Sequence, residues 1–212
     1  MIPVKKLICA ALALVLGFGL TACGAGSGEK WDKVPASDFE YKYNAELGGV
    51  EITKYTGTLI KVRIPDKIEG EPVVSINGVF EDSGIISVYI PDSVTSIDGF
   101  AFSGCTGLTS VTISNSVTSI GGFAFKGCTG LTSVTIPNSV TRIGEAAFVG
   151  CTGLTSVTIP DSVTSISEFA FSNCTGLNVN YRGVTYAVHL YETTYGMITS
   201  LPQEFYNTVN GK

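Results

Sequence analysis

The sequence predicts an α/β-type repeat protein, mostly β, in which short coils stack into a solenoid with a parallel sheet. A stretch of 23 residues, IPDSVTSIDGFAFSGCTGLTSVT, starts at Ile90 and recurs three times with small changes. The later copies start at Ile113, Ile136 and Ile159, and the cysteines keep the same spacing at Cys105, Cys128, Cys151 and Cys174. A fixed period of this length is typical of solenoids, because each unit packs only against its neighbours. The 25 glycines and the many Ser and Thr residues favour turns and short strands over long helices.

The composition allows a folded core and argues against nucleic-acid binding. Hydrophobic residues make up 44% of the 212 residues, which is enough apolar surface for a sizeable core. The formal net charge of −5 is the opposite of the basic surface that nucleic acids require. Charged side chains are scarce within the repeats, where Ser and Thr hydroxyls supply most of the polarity.

Residues 1–22 have the pattern of an export signal peptide. Lys5 and Lys6 are followed by an apolar run from Leu7 to Leu20 and then by small residues. The 14 residues of this run are too few for a membrane-spanning helix, which needs about 20. The sequence therefore predicts that this segment directs export.

Residues 20–23, Leu-Thr-Ala-Cys, resemble the lipobox of bacterial lipoproteins. The resemblance implies cleavage before Cys23 and attachment of lipid to its sulfur and to the new N-terminus. Residues 23–37 would then be the lipid attachment site and a flexible tether, which holds the exported protein at the bacterial cell membrane, facing outside the cytoplasm. The alternative is an ordinary signal peptide followed by a chance cysteine.

An N-terminal β cap is predicted for residues 38–70. Apolar and aromatic residues alternate from Phe39 to Ile64, which indicates short strands. A stretched first copy of the repeat begins at Ile64-Pro65, so the repeats extend over residues 64–178. The terminal units of solenoids are usually atypical, because one side of each faces water.

Each repeat contains two strand-like pieces joined by a glycine-rich turn or short 3₁₀ segment. In the first full copy these pieces are Val94–Ile97 and Leu108–Ile113, and Phe100–Gly107 lies between them. Equivalent residues of stacked coils lie about 4.8 Å apart and are expected to form inward ladders. The expected ladders are Val94/Val117/Val140/Val163, Ile97/Ile120/Ile143/Ile166, Phe102/Phe125/Phe148/Phe171, Leu108/Leu131/Leu154/Leu177 and Val111/Val134/Val157.

The repeats share the pattern Leu-Thr-Ser-Val-Thr-Ile-Pro-(Asp/Asn)-Ser-Val-Thr-Ser-Ile-x-x-x-Ala-Phe-x-x-Cys. This pattern resembles the BspA-like leucine-rich repeat of bacterial surface proteins. The resemblance covers residues 64–177 and implies a curved, right-handed solenoid with the parallel sheet on its concave side. It also implies adhesion or interaction roles of the kind that large surface members have.

A C-terminal cap is predicted for residues 179–212. Val179–Tyr186 is expected to form a last strand or hairpin with its turn at Arg182-Gly183, and Leu201–Val209 a short helix with Ser200 as a possible N-cap. Several side chains are expected to cover the open end of the last coil: Tyr186, Leu190, Tyr191, Tyr195, Met197, Phe205 and Tyr206. The alternative is that these aromatic residues form a binding patch.

The repeat cysteines are expected to be small buried thiols. A ladder places them in a row, which does not converge on a metal ion and does not orient neighbouring side chains for a disulfide. Support for catalysis is also weak, because His189 is the single histidine and the sequence has no Gly-x-Ser-x-Gly elbow or phosphate-binding loop. The sequence therefore predicts a protein that is not an enzyme and needs no metal or cofactor.

The concave strand face is the candidate binding surface. Its expected outward residues are Ser87, Tyr89, Ser110, Thr112, Ser133, Thr135, Ser156 and Thr158. Regular hydroxyls on a flat sheet suit contact with a protein or glycan, and the predicted function is a binding or adhesion module. The alternatives are that these residues are simply soluble strand formers, or that the protein is a structural spacer without a ligand site.

A second exposed stripe is expected from Phe100, Phe123 and Phe169, interrupted by Ala146. The stripe lies on or near the convex surface if the following Ala and Phe residues point inward. It is interpreted either as a contact surface or as packing between neighbouring coils.

Overall fold

The computed structural model describes residue 31 and residues 34–193 and 196–211. It confirms a mostly-β solenoid with one short helix, α1, at Gln203–Val209, and a 3₁₀ turn at Ala36–Asp38. Strands β1 to β7 are Phe39–Asn44, Gly49–Tyr55, Lys61–Arg63, Lys67–Ile68, Glu71–Ile76, Ser87–Ile90 and Ser96–Ile97. Strands β8 to β17 are Ser110–Ile113, Ser119–Ile120, Ser133–Thr135, Arg142–Ile143, Ser156–Ile159, Ser165–Ile166, Asn178–Tyr181, Val184–Ala187, His189–Thr193 and Gly196–Ser200.

One side of the solenoid is an uninterrupted sheet, which we call the long sheet. Its order is β1-β2-β5-β7-β9-β11-β13, with β4 paired to β5 outside this path. From β2 to β13 the neighbours along this path are parallel, whereas β1 pairs antiparallel with β2 at the N-terminal edge and β4 pairs antiparallel with β5. The isoleucines of successive coils pair directly in this sheet, as the 23-residue period predicts.

The other strand of each coil builds two shorter sheets, β3-β6-β8 and β10-β12-β14-β15. Serine pairs with serine and valine with valine across the neighbouring parallel strands β6/β8 and β10/β12. Strands β8 and β10 lie beside each other but form no ladder, so this side of the solenoid is divided. Val111 is consequently only half-buried, whereas Val134 and Val157 are buried, so the inward ladder is incomplete at its first member.

The core is a column of repeated side chains between the two strand layers. The predicted Val, Ile, Phe and Leu ladders at residues 94, 97, 102 and 108 and their copies are all buried. Phe102, Phe125, Phe148 and Phe171 stack nearly parallel, with centroids 4.9, 5.0 and 5.3 Å apart. No single coil could bury these rings on both faces, so the coils depend on one another for stability.

The N-terminal end contains a coil that the repeat pattern does not predict. Strand β2 pairs parallel with β5, and β3 pairs parallel with β6, as the two strands of a repeat do. Ile52 lies opposite Ile76, and Val62 lies opposite Val88. The segment expected to cap the solenoid therefore includes an additional stacked turn, and β1 lies outside it on the long sheet.

The C-terminal end closes the last coil with a hairpin and the helix. Strands β14 and β15 pair antiparallel about the predicted turn, where Arg182 and Gly183 have φ of 49° and 78°. The Asn210 side chain accepts a hydrogen bond from the Ile166 backbone N–H at 2.8 Å and donates one to its carbonyl at 2.9 Å. Asn210 thereby supplies the hydrogen bonds that a further strand would make to β13.

The helix and its covering residues differ in detail from the prediction. The helix begins at Gln203, with Pro202 in the extended conformation at its N-cap position, while Ser200 ends β17 and lies 3.3 Å from the Tyr206 hydroxyl. Phe205 and Tyr206 are buried as expected, but Leu190 is exposed. The side chains of Tyr191, Tyr195 and Met197 lie outside the described part of the chain.

Candidate binding face

Six hydroxyl side chains form an exposed array on the divided side of the solenoid. We call this array the hydroxyl face, and it comprises Ser110, Thr112, Ser133, Thr135, Ser156 and Thr158, all exposed. Side chains alternate between the two sides of a strand, so the valine between each Ser and Thr points into the core. The Ser and Thr of neighbouring strands pair directly across β10 and β12. The array therefore has regular rungs about 4.8 Å apart where the strands are paired.

The hydroxyl face differs from other hydroxyl rows of the molecule in its hydrogen bonding. Thr118 donates to the Thr95 carbonyl of the preceding coil at 3.2 Å, and Thr141 repeats this bond to the Thr118 carbonyl. Ser139 donates to the Val117 carbonyl at 2.6 Å. Within residues 34–193 and 196–211, no such side-chain bond involves the six hydroxyls of the hydroxyl face. They remain available to a ligand without breaking an internal bond.

Two predicted members of the face are placed differently. Ser87 is only 3% exposed, so the prediction that it points into solvent is wrong. Its hydroxyl has no hydrogen-bond partner in the described structure. Tyr89 is half-buried, with its ring centroid 6.0 Å from that of Trp31 and the Arg63 guanidinium 4.2 Å above its face.

The register shows how the face continues beyond the predicted residues. At the N-terminal end, Lys61 lies opposite Ser87 and Arg63 lies opposite Tyr89. At the other end, Asn178 and Asn180 follow the serine and threonine positions of β12. Charged and apolar residues alternate in Lys61-Val62-Arg63, which indicates a strand with its cations on one side. Only the structure shows that this strand pairs with β6.

The repeat cysteines are free and buried, as predicted. Their thiols donate to the backbone carbonyls of Phe80, Phe102, Phe125 and Phe148 at 2.9 to 3.1 Å. Burial raises the pKa of the Cys105 thiol from 9.0 to about 11, so it stays protonated near neutral pH. In the described residues, no cluster of three or more His, Cys, Asp or Glu side chains is arranged to hold a metal ion. The thiol ladder is a structural feature of the core.

The remaining candidates form no second site among the residues that the structure describes. His189 is exposed in β16. Phe100 and Phe123 stack at 5.1 Å with an interplanar angle of 8°, which agrees with packing between coils, while Phe169 is 50% exposed. In the part of the chain that the structure describes, no helix is long and apolar enough to span a membrane. Cys23 and the predicted signal peptide lie outside that part.

A family model identifies the repeats that build this face. Residues 76–187 match the model described as BspA type leucine rich repeat region, with six copies. The chain belongs to the BspA-type leucine-rich repeat family. The family resemblance noted from the repeat pattern is thus confirmed.

Solved structures of leucine-rich repeat proteins are similar to the chain. A leucine-rich repeat protein from T. pallidum is 34% identical with a TM-score of 0.66, and the match covers 70% of this chain and 71% of that one. One from Bacteroides ovatus is 33% identical with a TM-score of 0.61, covering 71% of this chain and 41% of its own. The pneumococcal vaccine antigen PcpA, at 18% identity and a TM-score of 0.55 over 69% of this chain and 38% of its own, shares the fold alone. No curated protein matches the chain.

Proposed function

We propose that the protein is a lipid-anchored bacterial surface module that acts by binding, not by catalysis, through its hydroxyl face. The observation that carries this proposal is the array of six exposed hydroxyls, in register across β10 and β12, that make no side-chain hydrogen bond within the described residues. A rigid sheet presents these groups at fixed positions, which lowers the entropy lost when a ligand is bound. Its partner is a protein or a glycan.

The binding role is tested by blocking the face without creating like-charge pairs. In β10 and β12, Ser133→Arg faces Ser156→Glu and Thr135→Glu faces Thr158→Arg, so each new charge lies opposite its complement. We expect the full-length variant to bind glycan and protein arrays at least about tenfold more weakly than the unmodified protein. Thermal unfolding is expected to stay nearly unchanged, because all four positions are exposed.

The matched control places charges on the exposed Thr118 and Thr141, through Thr118→Arg and Thr141→Glu. These threonines belong to the row that bonds the preceding coil, and their substitution is expected to leave array binding intact. Equal binding by the face-blocked and control variants would contradict the proposal. An unmodified protein that binds nothing on either array would support the structural spacer instead.

The anchor is tested separately from the face. Cys23→Ala removes the predicted acceptor of the lipid, so the protein is expected to leave the membrane fraction and to lose the mass of the lipid. Cys9→Ala, in the apolar run of the signal peptide, is the control and should change neither property. If the Cys23 variant keeps its membrane fraction and mass, the lipid anchor is wrong.

A further inference from the structure

The N-terminal end of the hydroxyl face combines a cation with two aromatic rings. The Arg63 guanidinium lies 4.2 Å from the centre of the Tyr89 ring, and Trp31 lies 6.0 Å from the same ring, centroid to centroid. Stacking holds the planar guanidinium over the ring and leaves the N–H groups on its edge free to donate in its own plane. Such an edge suits a carboxylate, which accepts two parallel hydrogen bonds from it.

The internal partner of Arg63 is weak. The Asp66 carboxylate lies 4.0 Å from the guanidinium, and the two side chains are 60% and 39% exposed. Exposed pairs at this distance contribute little, because water screens them. Arg63 therefore remains able to bind a second carboxylate.

Local charge favours an anionic group at this end, and a cavity lies next to it. Residues 61–67 carry three cations, Lys61, Arg63 and Lys67, against the single anion Asp66, in a chain whose net charge is −5. A cavity of about 550 Å³ lies beside Arg63 and is lined by residues 34–36 and 63–67. The cationic strand is thus next to a space large enough for a ligand group.

At the strand position that Arg63 occupies, the residues of the following strands are uncharged. Arg63 pairs with Tyr89, and Tyr89 pairs with Thr112 on the next strand. Beyond the break between β8 and β10, Thr135 and Thr158 occupy the same position in the next two repeats, and Asn180 pairs with Thr158. In the parallel serine row Ser87 is buried, so the threonine row is the one that offers polar groups from Arg63 onward, with a break in the ladder between β8 and β10.

We propose that the ligand of the hydroxyl face is an oligosaccharide with an acidic sugar at one end, an inference that rests on the proposed binding function. The carboxylate of the end sugar binds Arg63, and its ring packs against Tyr89 and Trp31. The neutral sugars that follow lie along the threonine row, where hydroxyl groups of the protein donate to and accept from those of the sugar.

A peptide fits this surface less well. Extended peptides bind sheets through free backbone groups at an edge and through pockets for alternate side chains. The backbone groups of β12 are used in its ladders with β10 and β14, and β8 and β10 already lie beside each other, so neither edge is open to an added strand. The outward side chains of these strands are small hydroxyls. Aromatic rings beside rows of hydroxyls and amides match the apolar faces and hydroxyl groups of sugars better.

The test compares full-length protein binding to pairs of oligosaccharides that differ only in an acidic end sugar. Suitable probes are lactose-based oligosaccharides ending in sialic, glucuronic or galacturonic acid, each with its neutral counterpart, and an oligoglutamate peptide. We expect at least one acidic probe to bind at least about tenfold more tightly than its counterpart, with an affinity that falls as salt rises. The preference is expected to disappear in Arg63→Gln and to fall in Arg63→Lys, which keeps the charge but loses the planar fork.

Two further variants sharpen the test. Asp66→Asn removes the competing carboxylate and is expected to tighten acidic-probe binding, whereas Arg142→Gln, an exposed cation on the long sheet, should change nothing. The proposal is overturned if no acidic probe is preferred, or if oligoglutamate binds as tightly with the same dependence on Arg63. Equal binding of acidic and neutral probes that is lost in the face-blocked variant would refute this inference alone. Probe binding that survives in the face-blocked variant would refute the proposed function as well.

Discussion

Replacing Phe125 with alanine is expected to lower the free energy of unfolding by about 3–5 kcal/mol. The Phe125 ring is fully buried and stacks between Phe102 and Phe148, at 4.9 and 5.0 Å. Truncation removes apolar burial and leaves a cavity that rigid coils on both sides cannot fill. Urea unfolding followed by circular dichroism measures the loss.

Phe169→Ala is the matched control for this prediction. Phe169 is also a repeat phenylalanine, but it is 50% exposed, and its truncation is expected to cost less than about 1 kcal/mol. Equal losses in the two variants would show that the stacked column does not dominate the stability of the solenoid. A broad or two-step transition in the Phe125 variant would indicate that the coils on either side unfold separately.

Gly153→Ala is expected to lower the free energy of unfolding by about 1–3 kcal/mol, because the added methyl group has no room. A Cβ atom at this position would lie 2.3 Å from the Thr129 carbonyl oxygen and 3.3 Å from that of Leu131. Both atoms belong to the backbone of the preceding coil, so relief requires the coils to move apart. The same unfolding measurement as for Phe125 detects the change.

Gly107→Ala tests the same repeat position where the coils are less close. Its added Cβ would lie 3.6 Å from the Ile85 carbonyl oxygen, which is an ordinary contact. Since alanine restricts the unfolded chain more than glycine does, this variant is expected to be unchanged or more stable by up to about 1 kcal/mol. A loss in Gly107→Ala as large as that in Gly153→Ala would contradict the close-approach explanation.

The core could be predicted from the sequence because its signal repeats. Phe102 and Leu108 recur every 23 residues at positions that are all buried, and the same period placed the cysteines in a buried row. Val111 departs from its ladder at the place where the strand pairing seen between β10 and β12 is missing between β8 and β10. That pairing is a property of two coils together, and a single repeat does not encode it.

The ends of the solenoid are harder to predict, because their structure also depends on contacts between coils that a single repeat does not encode. Ile52 and Val62 stack on the repeats through backbone pairing, although their surroundings do not match the repeat pattern. Ser87 occupies a repeat position that is exposed at Ser110, yet it is buried on β6, where Lys61 of the additional N-terminal coil lies opposite it. Arg63 belongs to the candidate site because β3 pairs with β6, and this pairing is not encoded in the repeat pattern.

The Ser and Thr positions that recur in every repeat also bear on how such a surface changes during evolution. Because each unit contacts only its neighbours, in-frame recombination that adds or removes one unit changes the length of the hydroxyl face by one rung. The aromatic, cationic end of the face around Arg63 and its other end at Asn178 and Asn180 lie outside the exchanged units and keep their own contacts. Such recombination can therefore lengthen or shorten the hydroxyl face by one repeat at a time without changing the residues at its two ends.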